Sequence, residues 1–535
     1  MARGDGAAQV SDVEVGETPW GAVRKPRRDD EFEFVPDRID ARGHVLGTFD
    51  GYRVRARKVP LGARARVRVQ KRRRDLVEVH ALEILERGPH AVEPHCPHVK
   101  SCGGCSFQEV DYSVQLRAKE ELLERELGAL DADASFELRE IVGCEDPFAY
   151  RNKMDFTFAN RRWVEEDEDE DAPEDFALGL HAPGRYEKVL DVHHCAIHFP
   201  EADAILGAAR DLARELELSP WDLHEHTGLL RHLVVRKGTA TGEIMIYLVT
   251  SPGEREAVDE YVRRLVAARP EVTTVIHGET DRLSTVAQAG EQRVLHGSGV
   301  IRDELDGLSF EISPESFFQT NTLQAERLLR AVCEEAAPRG SEVVHDLYCG
   351  GGTLTLGLAR AAGSVWGFEV VPSAVADARR NAEHNGLADV RFIEGDVVET
   401  LASCGAPKAD VWVVDPPRAG LHSRVLEAIL QERPRRVVYV SCNPAAAVRD
   451  IAGLGHHYRL GRARPFDLFP HTPHLECVFT LHRVEGASGL CPTCNHVRRV
   501  DTESSSFWLC GKSREDPAFS KYPPQPVVAC PGWSR

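Results

Sequence analysis

Ser441-Cys442-Asn443-Pro444 follows the apolar run Val437-Val438-Tyr439-Val440, whose length and β-branched content predict a buried strand. A cysteine just past such a strand, in a sheet of the α/β kind, stands on the rim where these folds hold their ligands. Its thiolate is a strong nucleophile for an electron-poor carbon. A single cysteine is more often inert and buried, so its partners decide the matter. Glu476, in His471-Thr472-Pro473-His474-Leu475-Glu476, enters the last predicted strand and is the candidate base. Asp415 ends the run Val411-Trp412-Val413-Val414 and precedes Pro416-Pro417-Arg418; the two prolines stiffen the turn and fix the carboxylate beside any ligand.

These groups need a sheet with a ligand-binding turn. Val343-Val344-His345-Asp346-Leu347-Tyr348-Cys349-Gly350-Gly351-Gly352 reads as a strand running into a glycine turn, then a helix; glycines let backbone approach a ligand closely. The next strand, Val365 to Glu369, ends in an acid able to hold ribose hydroxyls, and Val390 to Asp396 repeats the design with an acid placed for an adenine amino group. Thr355 stands where G-x-G-x-x-G would need its third glycine. That disfavours a nicotinamide dehydrogenase and fits a nucleoside without pyrophosphate, such as S-adenosylmethionine. In Pro314-Glu315-Ser316-Phe317-Phe318-Gln319-Thr320-Asn321, Asn321 is expected to cap a helix from Thr322 to Ala337, leaving Gln319 to face the site.

Upstream, Cys96, Cys102 and Cys105 fall within ten positions, with glycines between the last pair. That spacing suits a loop wrapped on a metal centre, either an iron–sulfur cluster or zinc. Cys144 and Cys195 are both candidates for a fourth thiolate. Before them, Gly51 to Arg74 carries eleven Lys and Arg residues and no acid. Its period-2 alternation places Val54, Val67 and Val69 on one face and arginines on the other, as in a small OB-like barrel. The lack of compensating acid favours phosphate contact. Leu229 to Lys237 is either an ordinary strand or a wall of an RNA-facing cleft, and Tyr112 to Leu130 is a packing helix.

The 535 residues exceed what one core supports. No apolar stretch spans a membrane and no secretory leader is visible, so a cytoplasmic protein is expected, and the 14 cysteines read as ligands or catalytic groups. The net charge of −19 is uneven: the acidic block 165–175 reads as a solvated insertion. The expected order is a disordered tail over 1–30, a barrel over 31–89, a central domain over 90–310, a catalytic domain over 311–484 and a cysteine-bearing tail over 485–535. Within that tail Cys491, Cys494, Cys510 and Cys530 suggest a zinc ribbon.

Taken together, CPHVKSCGGCSFQ, ESFFQTN, DLYCGGGTLTLGLA, VVDPPRAG, YVSCNP and FPHTPHLECV make Phe32 to Val484 resemble the RNA uracil-5-methyltransferases. The nearest likeness is to bacterial 23S rRNA enzymes with a TRAM domain. The resemblance implies an α/β chain: a Rossmann-like class I methyltransferase domain, an N-terminal OB-like TRAM barrel and a central α+β domain. It implies a 4Fe–4S cluster on Cys96, Cys102, Cys105 and Cys195. Gln319, Tyr348, Glu369, Asp396 and Asp415 would contact S-adenosylmethionine, with Cys442 as nucleophile and Glu476 as proton acceptor. A monomer acting on 23S rRNA is expected. A tRNA enzyme of the same family and a non-catalytic iron–sulfur RNA-binding protein are the alternatives.

Overall fold

The computed structural model describes residues 25–130, 135–165, 168–169, 171–283, 286–484, 494–501, 506–523 and 530. The described part of Met1–Pro94, with Ser106–Ala118, forms one unit; His95–Cys105, with Lys119 onward, forms the other. Among the described residues no helix is long and apolar enough to cross a membrane.

In the first unit six strands form one sheet: β1 (Glu31–Phe34), β2 (Arg38–Ile39), β3 (Val45–Phe49), β4 (Tyr52–Ala56), β5 (Arg64–Arg73) and β6 (Leu76–Glu86). Their order is β1-β5-β6-β4-β3-β2. Alternation does what the sequence requires of it. Val54, Ala65, Val67, Val69, Val77 and Val79 are buried with Phe32 and Phe34 of β1. The sheet curls over this core, since a Cβ on Gly47 of β3 would lie 2.8 Å from the Phe34 ring. The arginine face corrects the sequence reading. Arg53 pairs with Asp75, Arg55 with Glu78, Arg64 with Glu33 and Glu86, Arg66 with Glu83, and Arg68 with Glu31. The compensating acids lie on β1 and β6 and in the turn between β5 and β6, and strand pairing brings them alongside.

The packing helix runs Tyr112–Leu127 and stops three residues short of the expected end. Gly128 follows, the residue least suited to continuing a helix.

Among the described residues the second unit holds two eight-stranded sheets, a two-stranded ribbon of Ile301–Leu305 and Leu308–Ile312, and a tail hairpin, Val497–Asp501 against Ser506–Cys510. One sheet runs in the order Glu291–His296, Val272–Glu279, Ile244–Thr250, Leu230–Lys237, Lys153–Ala159, Ala177–Ala182, Arg185–Asp191, Arg162–Trp163. The other runs Val390–Glu394, Ser364–Glu369, Val343–Leu347, Val411–Val414, Arg436–Ser441, Glu476–Arg483, Tyr458–Phe466, Glu137–Leu138. Its first five strands are parallel, with helices as crossovers, and their near-continuous apolar runs follow from burial on both faces. Glu476–Arg483 is antiparallel to both its neighbours. This parallel sheet with one reversed strand is the class I methyltransferase arrangement, and it sets the ends of five successive strands along one rim.

The acidic block is not wholly solvated, a second correction. Glu165 meets His98 at 2.6 Å, with only 14% and 8% of the two side chains exposed, and Glu168 pairs with Arg162. Glu166, Asp167 and Glu170 lie outside the described residues.

Candidate active site

Strand register brings the candidate reacting groups onto one rim. Ser441 is opposite Cys477 in the antiparallel pair, so the chain positions one step outward are Cys442 and Glu476. Cys442 sits between its strand and the helix Pro444–Leu454, in a turn closed by Ser441 Oγ, which accepts from Asn443 N at 3.0 Å. Asp415 leaves the adjacent parallel strand, its N–H donating to Leu347 O at 3.2 Å. Cys442 and Glu476 both feel the charges of Asp415 and Arg418. Burial pushes the Cys442 thiol up to about 11, Glu476 and Asp415 push it further, and Arg418 opposes them. Burial, then Asp415, holds the Glu476 carboxyl well above the usual carboxylate range, again against Arg418. Burial alone raises Asp415 to about 7. At rest near neutral pH the thiol is therefore protonated, and burial favours the uncharged form of the Glu476 carboxyl.

Arg418 is held by two contacts that the sequence does not announce. Its Nη2 donates to His474 Nδ1 at 2.9 Å, and its carbonyl accepts from Asn443 Nδ2 at 2.8 Å. Burial and Arg418 lower His474 to about 4, so it is a neutral acceptor. Buried Asp450 fixes the same loop by accepting from Leu421 N at 2.7 Å and from the Tyr439 hydroxyl at 2.9 Å.

Along the rim the glycine turn takes the backbone path it was expected to need. Gly350 and Gly352 have φ of +53° and +86°, and a Cβ on Gly352 would lie 3.1 Å from Ala378 Cβ. Tyr348 takes φ +66°, an uncommon conformation for a non-glycine residue and one that gathers at functional sites. Burial, Asp396 and Asp450 together raise its phenol. Glu369 accepts from Gly350 N at 3.0 Å, Val370 N at 2.8 Å and Val371 N at 2.9 Å, which locks the turn to the neighbouring strand. Asp396 caps the helix Val397–Ser403 through Val398 N and Glu399 N. Both acids keep lone pairs for a ligand.

Asp346 was not singled out by sequence. It is fully buried, takes the Thr355 hydroxyl at 2.5 Å on one oxygen, and among the described residues its Oδ1 has no hydrogen-bond partner. Burial raises it to about 7. An orphaned carboxylate oxygen beside Asp415 and Glu369, next to a turn without Cβ atoms, fits a cationic nucleoside such as S-adenosylmethionine. Thr355, read from sequence as the break in the dinucleotide pattern, is the residue that holds this carboxylate.

Gln319 belongs to a loop pinned from behind. Arg236, 1% exposed, donates to Ser316 O at 2.9 Å and to Ser313 O and Phe318 O at 3.4 Å. Asn152 Nδ2 donates to Gln319 O at 3.0 Å, and Asn321 caps the helix Thr322–Ala336 through Gln324 N. The Gln319 side chain is half-buried and Phe317 is exposed. Leu230–Lys237 is thus an inner strand. Arg231 is likewise buried, donating to Thr280 O and Arg282 O, so neither arginine is left to form an RNA wall.

Among the cysteines, Cys195 feels the charges of Cys96 and Cys102, and burial first raises it to about 11. Backbone N–H groups of His98 and Ala196 serve Cys96, those of Ile197 and His198 serve Cys195, and Gly104 N meets Cys102 Sγ at 3.3 Å. Cys144 sits elsewhere, accepting from Gln324 Nε2 at 3.3 Å and Asn321 Nδ2 at 3.4 Å. Burial and, second, the charge of Cys105 raise the Tyr150 phenol. Among the described residues no three metal-ligating side chains stand together as they would around one ion. In the tail, Cys491 lies outside the described residues; Cys494, Cys510 and Cys530 are free thiols.

The profile of the tRNA (Uracil-5-)-methyltransferase family matches residues 259–403 and 407–484. An uncharacterised RNA methyltransferase of Chlorobaculum tepidum is 40% identical over 438 residues, spanning 79% of this chain and 90% of that one. One from Porphyromonas gingivalis is 38% identical over 439 residues, spanning 79% and 93%. The crystal structure of the Pyrococcus abyssi tRNA (uracil-54, C5)-methyltransferase in complex with S-adenosyl-L-homocysteine superposes with a TM-score of 0.66 at 28% identity, over 84% of this chain and 100% of that chain. With its parallel sheet, its glycine turn and these relatives, the chain belongs to the RNA uracil-5-methyltransferase family, S-adenosylmethionine-dependent enzymes of the class I fold.

Proposed function

We propose that this enzyme methylates C5 of a uridine in RNA through a covalent bond between Cys442 and C6 of the base. The observation that carries the reading is the pairing of the Cys442 turn with the Glu476 strand end, a thiol and a carboxyl in one electrostatic cluster with Arg418. C5 of uracil is a weak nucleophile. The Cys442 thiol gives up its proton to solvent, and addition of the resulting thiolate at C6 pushes electron density onto C5 and splits one difficult step into easier ones. S-adenosylmethionine, when bound, supplies an electrophilic methyl group. Gln319, Tyr348, Glu369, Asp396 and Asp415 are the residues we assign to holding it, with Asp346 added for its unpaired oxygen. Once C5 carries the methyl group, Glu476 takes the original C5 proton and the electron pair of that C–H bond expels the Cys442 sulfur. Arg418 favours the ionised forms of both groups, and His474 holds it in reach of them. A stacked base is inaccessible to such a turn, so the target uridine must leave its stack.

For the substrate we favour 23S rRNA, on the likeness of the cysteine loop and the basic barrel to rRNA enzymes of this family. A tRNA is the second reading, supported by full-length similarity to a tRNA enzyme. Cys96, Cys102, Cys105 and Cys195 would hold a 4Fe–4S cluster. All-thiolate ligation suits that group, and backbone N–H groups serve two of these sulfurs, Cys96 and Cys195. Transfer of labelled methyl groups to unmodified 23S rRNA and tRNA transcripts, followed by nucleoside analysis, tests the proposal. Label in 5-methyluridine of one transcript selects the substrate, and label in neither, or on another atom, refutes the assignment.

A further inference from the structure

The first unit carries a cationic patch that its own ion pairs leave over. Strand pairing supplies acids to Arg53, Arg55, Arg64, Arg66 and Arg68, so the arginine face of β4 and β5 is largely neutralised. The hairpin tip is different. Lys71, Arg72, Arg73 and Arg74 are all exposed, and among the described residues none of them is ion-paired. The acids nearest in register are already engaged. Asp75, in the turn, takes Arg53 Nε at 2.9 Å, and Glu78, opposite Lys71, takes Arg55 Nη2 at 2.7 Å. The tip is also built to stay in place. Arg72 Nη1 donates to Arg74 O at 2.8 Å, Arg53 N donates to Asp75 O at 2.9 Å, and Arg73 pairs with Leu76 across the turn.

We infer that Lys71, Arg72, Arg73 and Arg74 at the β5–β6 hairpin tip are the RNA phosphate contact of this unit, and that the paired arginines on the strand face are not. The inference rests on the reading of the chain as an RNA methyltransferase. Four adjacent positive charges that hold no carboxylate release counterions when they meet a polyanion. An arginine that already holds a carboxylate must first give it up, and gains little. A chain of net charge −19 also repels RNA at long range, so a concentrated basic element has to set the approach.

The test is filter binding of the full-length protein to an unmodified 23S rRNA transcript and to a single-stranded oligouridine across a salt series. K71Q/R72Q/R73Q/R74N keeps a residue tolerant of positive φ at position 74, where φ is +54°. At about 0.7 per phosphate on a single strand, its plot of log affinity against log salt should flatten by about 2–3, with at least a tenfold loss of affinity at low salt. R66Q/R68Q, which removes paired arginines, should keep the wild-type slope. An unchanged slope in the quadruple variant, or an equal loss in R66Q/R68Q, overturns the inference and leaves the enzyme's activity assignment standing. Methyl transfer by wild type shows that the assignment itself holds; wild-type protein that neither binds nor methylates RNA overturns both. Unchanged circular dichroism and thermal midpoints establish that each variant is folded, and K71E/R73E offers the same slope test with fewer changes.

Discussion

Lys119 Nζ lies 2.7 Å from Asp467 Oδ1, and neither side chain has any solvent exposure. The pair also grips backbone: Lys119 donates to Phe469 O at 3.2 Å, and Asp467 accepts from Phe469 N at 3.2 Å. Asn321 Nδ2 holds Leu468 O and the Tyr150 hydroxyl holds Pro470 O. The segment leading to His474 and Glu476 is thereby fixed from three directions. Lys119→Met removes the cation that faces the buried Asp467 carboxylate and is expected to lower stability by about 3–5 kcal/mol. Lys119→Met with Asp467→Leu should lose clearly less, because no charge is stranded. Chemical denaturation of the two variants checks this, and equal losses would count against it.

Removing the nucleophile separates chemistry from binding. Cys442→Ala should drop turnover by at least ~10⁴-fold while RNA affinity stays near wild type. Glu476→Gln should still form the Cys442 adduct but fail to release it, with turnover down by about 10²–10⁴-fold. A denaturing gel reads the second outcome directly, as a slow-migrating RNA–protein band absent when Cys442→Ala is combined with Glu476→Gln.

Activity should climb with pH. Burial raises Cys442 to about 11 and holds Glu476 above its ordinary range, and both must lose a proton to act. The profile of kcat/KM is therefore expected to rise from neutral into alkaline pH. Arg418→Met removes the charge that opposes both shifts and should move the rise to higher pH. His474, lowered to about 4, is neutral throughout this range. For stability the sign is set by the raised folded-state affinity of Glu476 for its proton. Its favourable contribution is complete below the unfolded value and fades as pH rises toward the folded one. Glu476→Gln should accordingly raise the thermal midpoint at pH values near neutrality and not in acid, as melting curves at the two extremes would establish.

Arg236 offers three carbonyl contacts from one planar fork. A lysine cannot span them. Arg236→Lys is expected to raise KM for S-adenosylmethionine several-fold by loosening the Gln319 loop, with a smaller effect on kcat. Titration of S-adenosylmethionine at saturating RNA measures the split.

Cluster ligation can be read without activity. On the proposed 4Fe–4S ligation, Cys195→Ser should lose iron and sulfide from the purified protein, since Cys195 feels the charges of Cys96 and Cys102. Cys144→Ser should keep them, since Cys144 is occupied by Asn321 and Gln324. Iron and sulfide assays decide between the two cysteines.

Sequence alone determined what local rules govern. Apolar runs marked the parallel strands, the glycine spacing marked the turn before Thr353–Ala359, and Asn321 marked its helix start, because periodicity, backbone freedom and capping all act over a few residues. The motif set was specific enough to identify the family, and it nominated Cys442, Asp415 and Glu476 for the chemistry we propose. What tertiary structure decided was every question of counter-charge. Gly51 to Arg74 looks uncompensated as a string, yet Glu31, Glu33, Glu83 and Glu86 arrive by strand pairing. Arg236 looks like a surface charge, yet it is spent on carbonyls about eighty positions away. Lys119 finds Asp467 across 348 positions. Pairing and burial depend on which distant segments the fold makes neighbours, and single-chain spacing carries no record of that.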